Sequence, residues 1–141
     1  MKKDGDLRNI FRRKIPEFHW QSIESPLTGQ GTPDANFCHD GVEGWIEFKK
    51  TSGNKIASMK PEQVAWAERR MRAGGRVFLV VRQETKKLDR LWIANARMIR
   101  VIFMDGLPAS ISMGSNGAFA MPYDDGPLAW DWESVRKLLL S

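Results

Sequence analysis

Residues 44–51 read Gly-Trp-Ile-Glu-Phe-Lys-Lys-Thr, and this stretch alternates between two kinds of side chain. Side chains of a strand point alternately to its two sides, so Ile46 and Phe48 share one face while Glu47 and Lys49 share the other. We predict a strand whose first face packs into a core and whose second face presents polar chemistry. The Cα atoms of the two charged residues are roughly 6.6 Å apart, at about 3.3 Å of rise per residue.

The residues before this strand predict its partner. Residues 25–34 are dense in Ser, Pro, Gly and Thr, which indicates a loop that ends at Asp34. Residues 35–39 are expected to form a strand, and Asp40-Gly41 supplies the turn that follows it. If the two strands pair as a hairpin, Asp34 arrives beside Glu47.

The residues after it predict a parallel crossover. Pro61 suits the first position of a helix that runs through Met71, and Gly74-Gly75 ends that helix. Residues 76–82 form a nearly continuous β-branched and aromatic run, which is typical of a strand buried on both faces at the centre of a sheet. Strand, helix and strand in this order indicate a right-handed connection between parallel neighbours.

The remaining chain adds four expected elements. They are an amphipathic basic helix within residues 1–14 that Pro16 ends, a strand at 88–94, and helices at 96–103 and 132–140. Residues 105–126 are rich in Gly, Ser and Pro and give no readable pattern. The elements predict an α/β protein with a central mixed β-sheet flanked by helices.

Length and composition limit the class of protein. The chain of 141 residues suits one domain. No apolar run approaches the roughly 20 residues of a membrane span, and the charged amino terminus lacks the apolar core of a secretory signal, so we expect a soluble, intracellular (cytoplasmic) protein. The single cysteine, Cys38, cannot form an internal disulfide, and no other residues lie at zinc-ligand spacing from it. A net charge of +5 favours polyanionic partners such as DNA.

Asp34, Glu47 and Lys49 together predict phosphodiester chemistry. Two carboxylates with several retained waters suit Mg²⁺, and the backbone carbonyl of Phe48 could complete the coordination. Mg²⁺ at such a site polarises a phosphoryl oxygen and aligns the attacking and leaving oxygens. The ammonium group would orient the attacking water or stabilise charge in the transition state.

The chain resembles the PD-(D/E)XK nucleases, especially the VRR-NUC type and related phage nucleases, and its motif order is similar to that of archaeal Holliday-junction resolvases. The resemblance covers roughly residues 20–82 and rests on four strings: Ile23-Glu24, Gly31-Thr32-Pro33-Asp34, Trp45-Ile46-Glu47-Phe48-Lys49 and Pro61-Glu62-Gln63. It implies a restriction-endonuclease-like core at about residues 17–95 with a C-terminal extension at 96–141. It also implies DNA as substrate and a homodimer.

The resemblance assigns a role to each residue of the motif. Asp34 and Glu47 take the metal-binding positions and Lys49 that of the catalytic lysine. Glu24 takes the upstream acidic position, where it would add a metal ligand, although Glu17 competes for that role. Gln63 matches a helix glutamine that supports the site.

Four basic residues are candidates for contacts with DNA phosphates. Lys50, Lys55 and Lys60 are expected around the metal, and Arg70 belongs to a basic stretch of the helix. The same residues also have explanations that involve no contact with DNA. Lysines on loops are often bystanders, and the helix arginines could be an ordinary solvated face.

The other motif residues also have structural readings. The Glu47–Lys49 pair could be a solvated strand face, and Gln63 a helix cap. Trp66 is expected to pack and not to stack on bases, and residues 124–126 to form a turn. Trp130 and Trp132 are expected to seal the core or a dimer contact.

The sequence therefore predicts an endonuclease that uses Mg²⁺, with Mn²⁺ as a substitute, and that acts on branched DNA, in a phage or mobile-element setting. Within the same chemistry the alternative is a nonspecific or nicking DNA endonuclease. From another class, a noncatalytic DNA-binding protein on the same fold remains open, and so does an acidic surface that binds a basic protein.

Overall fold

The computed structural model describes residues 4–23 and 30–141. Its helices and strands, in chain order, are α1 (Asp4–Lys14), β1 (His19–Ser22), β2 (Ala35–His39), β3 (Val42–Thr51), α2 (Pro61–Arg72), β4 (Val77–Glu84), β5 (Asp89–Asn95), α3 (Ala96–Asp105), β6 (Ser112–Met113), β7 (Phe119–Tyr123) and α4 (Trp132–Leu140). No helix among these residues is long and apolar enough to cross a bilayer.

The seven strands form one sheet in the order β1-β2-β3-β4-β5-β7-β6. The β3–β4 pair is parallel and the other five pairs are antiparallel. The expected hairpin between β2 and β3 is present, with Ala35 opposite Ile46. The apolar strand β4 lies at the centre, where residues 77–83 are all buried. The predicted α/β class with a mixed sheet flanked by helices is confirmed.

A hydrophobic layer lies on each face of the sheet. On one face, α2 and α3 cover side chains such as Leu79, Val81 and Trp92. On the other face, α1 and α4 contribute Phe11 and Leu139 to a layer with further side chains of the sheet. The alternation of β3 thus divides its residues between two cores.

The ends of α1 and α2 follow the chemistry that the sequence suggested. Pro61 occupies the start of α2, and Gly74 adopts φ of +95° after its last turn. Helix α1 ends at Lys14, two residues before Pro16. The Asp131 carboxylate accepts a hydrogen bond from the amide of Ser134 at 3.1 Å and caps α4.

Three strands were not predicted. The four-residue β1 forms the edge beside β2, and β6 and β7 lie within the stretch whose pattern was unreadable. Pro122 is tolerated in β7 because β6 pairs only with Phe119 and Ala120, which leaves the outer edge of β7 uncovered at the proline.

Candidate active site

The face of β3 that carries Glu47 and Lys49 is covered by a helix and is not open to solvent. Glu47 and Lys49 are only 6% and 4% exposed, because α2 packs over this face of the sheet. This burial contradicts the plainer interpretation of the Glu47–Lys49 pair as a solvated strand face. A buried carboxylate and ammonium group carry a large desolvation cost unless both are paired and hydrogen-bonded.

The two charged groups meet each other and two further partners. The Lys49 Nζ atom lies 3.7 Å from Glu47 Oε2 and donates to the carbonyl oxygen of Ser58 at 2.9 Å. The Gln63 amide donates from Nε2 to Glu47 Oε2 at 3.3 Å. Its Oε1 accepts from the backbone amide of Lys60 at 2.9 Å. Gln63 therefore both caps the start of α2 and fixes the carboxylate.

Asp34 enters the same site from the position directly before the start of β2. Its carboxylate accepts a hydrogen bond from the backbone amide of Phe48 at 2.9 Å. Continuing the strand register from the pair Ala35–Ile46 would place Pro33 opposite Phe48, and proline has no N–H to donate. The ladder therefore stops there: the Asp34 side chain accepts from the Phe48 N–H, and Pro33 has no N–H to donate to the Phe48 carbonyl.

A glycine allows the loop before Asp34 to lie against α2. Gly31 has φ of +83°, and a Cβ atom there would lie 2.1 Å from the carbonyl oxygen of Glu62. Only glycine permits this approach and this conformation together. The Gly-x-Pro-Asp string thus has a physical role at each of its three defined positions.

The donor set fits a hydrated divalent cation. Asp34 and Glu47 supply hard carboxylate oxygens, and the Phe48 carbonyl points to the Asp34 side because the N–H and C=O of one strand residue face the same neighbour. Within residues 4–23 and 30–141, no three His, Cys, Asp or Glu side chains gather at one place. Mg²⁺ seldom needs such a cage, since it keeps several waters.

The upstream acidic residue falls at the boundary of the described chain. The Ile23 amide donates to the carbonyl oxygen of Asp34 at 2.8 Å, which brings residue 23 beside the site. Glu24 follows it in sequence and lies outside the described residues. Its competitor Glu17 accepts a hydrogen bond from Arg136 of α4, on the opposite side of the sheet.

The four basic candidates lie in different surroundings. Lys50 alternates to the other face of β3 and pairs with Glu84 at 3.2 Å, so it is not brought together with Glu47. Lys55 donates to the carbonyl of Met104 at 2.7 Å. The remaining two are exposed, Lys60 at the start of α2 and Arg70 near its end.

Sequence reasoning missed the residues that hold the 52–58 connector between β3 and α2. The Gln83 amide is buried in the sheet and donates to Gly53 O at 3.1 Å and Asn54 Oδ1 at 3.2 Å. It accepts from Trp92 Nε1 at 2.9 Å. This connector carries the Ser58 carbonyl that holds Lys49. A glutamine inside an apolar strand run was the available signal.

Fold and site together define an α/β protein with two carboxylates, a lysine and a glutamine gathered over the parallel β3–β4 pair. No family model matches the chain, and no curated protein matches it. Among solved structures, Hjc from Archaeoglobus fulgidus, a Holliday junction resolvase from an archaeal hyperthermophile, is similar over 94% of this chain and 95% of that chain, with 12% identity and a TM-score of 0.47. A likeness at this level carries no weight for function.

Proposed function

We propose that this protein is a metal-dependent DNA endonuclease that hydrolyses phosphodiester bonds, with one nuclease domain spanning residues 1–141. The observation that carries the proposal is the convergence of Asp34, Glu47, Lys49 and Gln63 in a site where the two central charges are more than nine-tenths buried. Burial of charged groups away from the surface is costly, and it concentrates at functional sites.

Each residue has a task in this reaction. Asp34, Glu47 and the Phe48 carbonyl would hold Mg²⁺ or Mn²⁺, with Glu24 as a further proposed ligand. The cation supplies charge neutralisation at the phosphoryl oxygens when it is bound. Lys49, held by the Ser58 carbonyl, orients the attacking water and stabilises charge on the phosphate. Gln63 is a positioning residue, since it orients the Glu47 carboxylate.

The substrate we propose is branched DNA, and the assembly a homodimer inside the cell. This rests on the motif resemblance to resolvases and VRR-NUC nucleases. Cutting both strands of a junction symmetrically requires two active sites, which a twofold assembly provides. Lys55, Lys60 and Arg70 are our candidates for phosphate contacts. Lys50 is a weaker one because of its ion pair with Glu84.

The test is cleavage of labelled single-stranded, duplex, flap and four-way-junction DNA by wild type and Asp34→Asn, with Mg²⁺ and with chelator. Asparagine keeps an oxygen that can accept from the Phe48 amide but removes the charge, so the fold should persist. We expect metal-dependent cutting by wild type and none by the variant. Asp124→Asn is the matched control, because that carboxylate pairs with Arg90 away from the site.

Either alternative would show in the same panel. Cutting that is equal on all four substrates would favour the nonspecific or nicking endonuclease. Binding without cutting by a folded wild-type protein would contradict the proposal and favour the noncatalytic DNA-binding protein.

A further inference from the structure

Beside the proposed active site lies a second cluster with different chemistry. On β3, Trp45 is two residues before Glu47 and on the same face, roughly 6.6 Å away along the strand. On α2, Trp66 and Arg70 follow Gln63 at helical spacing, three and seven residues on, and so share its side of the helix. The Glu47–Gln63 contact therefore continues into a Trp45–Trp66 contact.

The cluster holds a guanidinium group in a defined position. The Trp45 and Trp66 rings lie 5.3 Å apart between centroids, nearly edge to face. The guanidinium carbon of Arg70 lies 5.1 Å from the first ring centroid and 4.7 Å from the second. Contacts of a cation with two aromatic faces fix its orientation at low entropy cost.

Gly75 makes room for the stem of this arginine. A Cβ atom at position 75 would lie 2.5 Å from Cδ and 2.6 Å from Cγ of Arg70. The arginine stem thus passes directly over the glycine while its head rests on the two indoles. The side chain is exposed to solvent, yet its path is defined along its length.

The donors of this cluster have no acceptors within the described parts of the chain. Four of the six tryptophans donate their indole N–H to a protein oxygen. Trp45 and Trp66 are the two that do not, and the Arg70 guanidinium has neither a hydrogen bond nor an ion pair there. In contrast, Arg82, Arg90 and Arg100 each form a two-point pair with a carboxylate.

We infer that the cluster of Arg70, Trp45 and Trp66 is a preorganised binding subsite for a backbone phosphate of the DNA strand that enters the active site. A guanidinium fork matches a phosphodiester in two-point geometry. The exposed Arg72 beside it adds charge complementarity. Base stacking fits less well, because the arginine covers both rings. This inference rests on the proposed function and deepens it.

The experiment measures binding of labelled four-way-junction DNA by fluorescence anisotropy in chelator, across a range of salt concentrations. Arg70→Ala should weaken binding at least about tenfold and reduce the slope of log affinity against log salt by about 0.9, the value for one phosphate contact. Arg69→Ala is the matched control: it removes the same charge one residue away, from a side chain that stacks on neither ring. It should cost clearly less.

Two further variants separate geometry from charge. Gly75→Ala keeps every charge but displaces the arginine stem, so it should weaken binding about threefold or more without the loss of slope expected for Arg70→Ala. Arg70→Lys should behave more like Arg70→Ala than like wild type. Equal losses for Arg69→Ala and Arg70→Ala, or an unaffected Arg70→Ala, would overturn the subsite.

Cleavage of the same junction in Mg²⁺ keeps the two proposals distinct. If wild type binds with the Arg70 dependence but never cuts, the nuclease function fails and the phosphate subsite stands. If wild type cuts and Arg70→Ala binds and cuts equally well, the subsite fails and the nuclease function stands.

Discussion

The two faces of the central sheet each bury an ion pair, and the pairs differ in geometry. On the α1 and α4 face, Arg82 donates to both oxygens of Asp89 at 2.9 and 2.8 Å and lies over the ring of Trp130. On the α2 and α3 face, Lys49 and Glu47 are 3.7 Å apart, and each engages a third group. The Arg82 and Asp89 side chains are 11% and 24% exposed, against 5% and 8% for those of Lys49 and Glu47.

The difference indicates different purposes. A two-point arginine–carboxylate pair fixes both partners in one geometry and suits a structural role, and Glu84 adds a longer contact to Arg82 at 3.6 Å. In the lysine–glutamate pair, Lys49 donates to the Ser58 carbonyl and Glu47 accepts from the Gln63 amide. These bonds hold the two charged groups in place at a distance longer than a direct hydrogen bond. We therefore expect the first pair to matter for stability and the second for activity.

The largest expected effect comes from replacing the second pair by apolar residues. The double variant Glu47→Leu, Lys49→Met should lose cleavage by about 10³-fold or more, because metal and transition-state contacts are each worth several kcal/mol. Its free energy of unfolding should stay within about 2 kcal/mol of wild type, because the lost desolvation cost offsets the hydrogen bonds lost by the Ser58 carbonyl and the Gln63 amide. Single-turnover cleavage and urea unfolding measure both effects.

The matched control is Lys49→Met alone, which leaves the Glu47 carboxylate buried without its ammonium partner. That variant should lose about 3–5 kcal/mol of stability. A double variant that cuts DNA like wild type would contradict the functional reading of this pair.

The opposite outcome is expected on the other face. Arg82→Met should lower the free energy of unfolding by about 3–5 kcal/mol, because Asp89 remains partly buried without its guanidinium partner. Cleavage per folded molecule should be unchanged. Urea unfolding, with activity measured far below the transition, checks this. The added change Asp89→Leu should restore most of the stability. A large loss of activity in folded Arg82→Met would contradict the division of the two pairs into one for stability and one for activity.

The sequence predicts much of the arrangement on one face of the sheet, the face that carries Glu47 and Lys49. The alternation in residues 44–51, the apolar run of β4 and Pro61 at the start of α2 fix the hairpin, the crossover and the meeting of Asp34 with Glu47. These are local signals with strong periodicity. They also indicated Gln63 as a neighbour of the site, and its contact with Glu47 is present.

What the sequence did not predict depends on long-range packing. Strands β6 and β7 occur in a stretch rich in glycine and serine, and β7 forms because β5 offers it an edge. The closure of the site by α2 and the support of the connector by Gln83 likewise need the assembled sheet. The Arg82–Asp89 pair spans a turn between two strands, and no motif marks it.

A smaller effect tests the close approach that positions Asp34. Gly31→Ala should lower the free energy of unfolding by about 2–4 kcal/mol, because a Cβ atom meets the Glu62 carbonyl and φ is positive. Gly41→Ala is the matched control: φ is +79° there and nothing lies within 4 Å, so only about 1–2 kcal/mol should be lost. Equal losses in urea unfolding would show that the loop does not need its contact with α2.

The smallest effect concerns an exposed pair between the two helices that cover the site. The hydrogen bond from Arg100 holds the pKa of the Glu68 carboxyl below its ordinary value. A carboxyl that is more acidic in the folded state stabilises the fold above its unfolded pKa, and that stabilisation is lost as the pH falls through the folded pKa. Glu68→Gln should therefore melt below wild type at pH 7, with a gap that narrows toward pH 3.

Glu133→Gln serves as the control for this last comparison, because its pair with Lys137 lies within one helix turn at 3.7 Å and both side chains are more than three-quarters exposed. It should melt like wild type at both pH values. A gap for Glu68→Gln that is unchanged at low pH would assign its effect to packing between α2 and α3. The Glu68–Arg100 pair would then differ from the two ion pairs on the sheet, since its charges would contribute nothing to the stability of the fold.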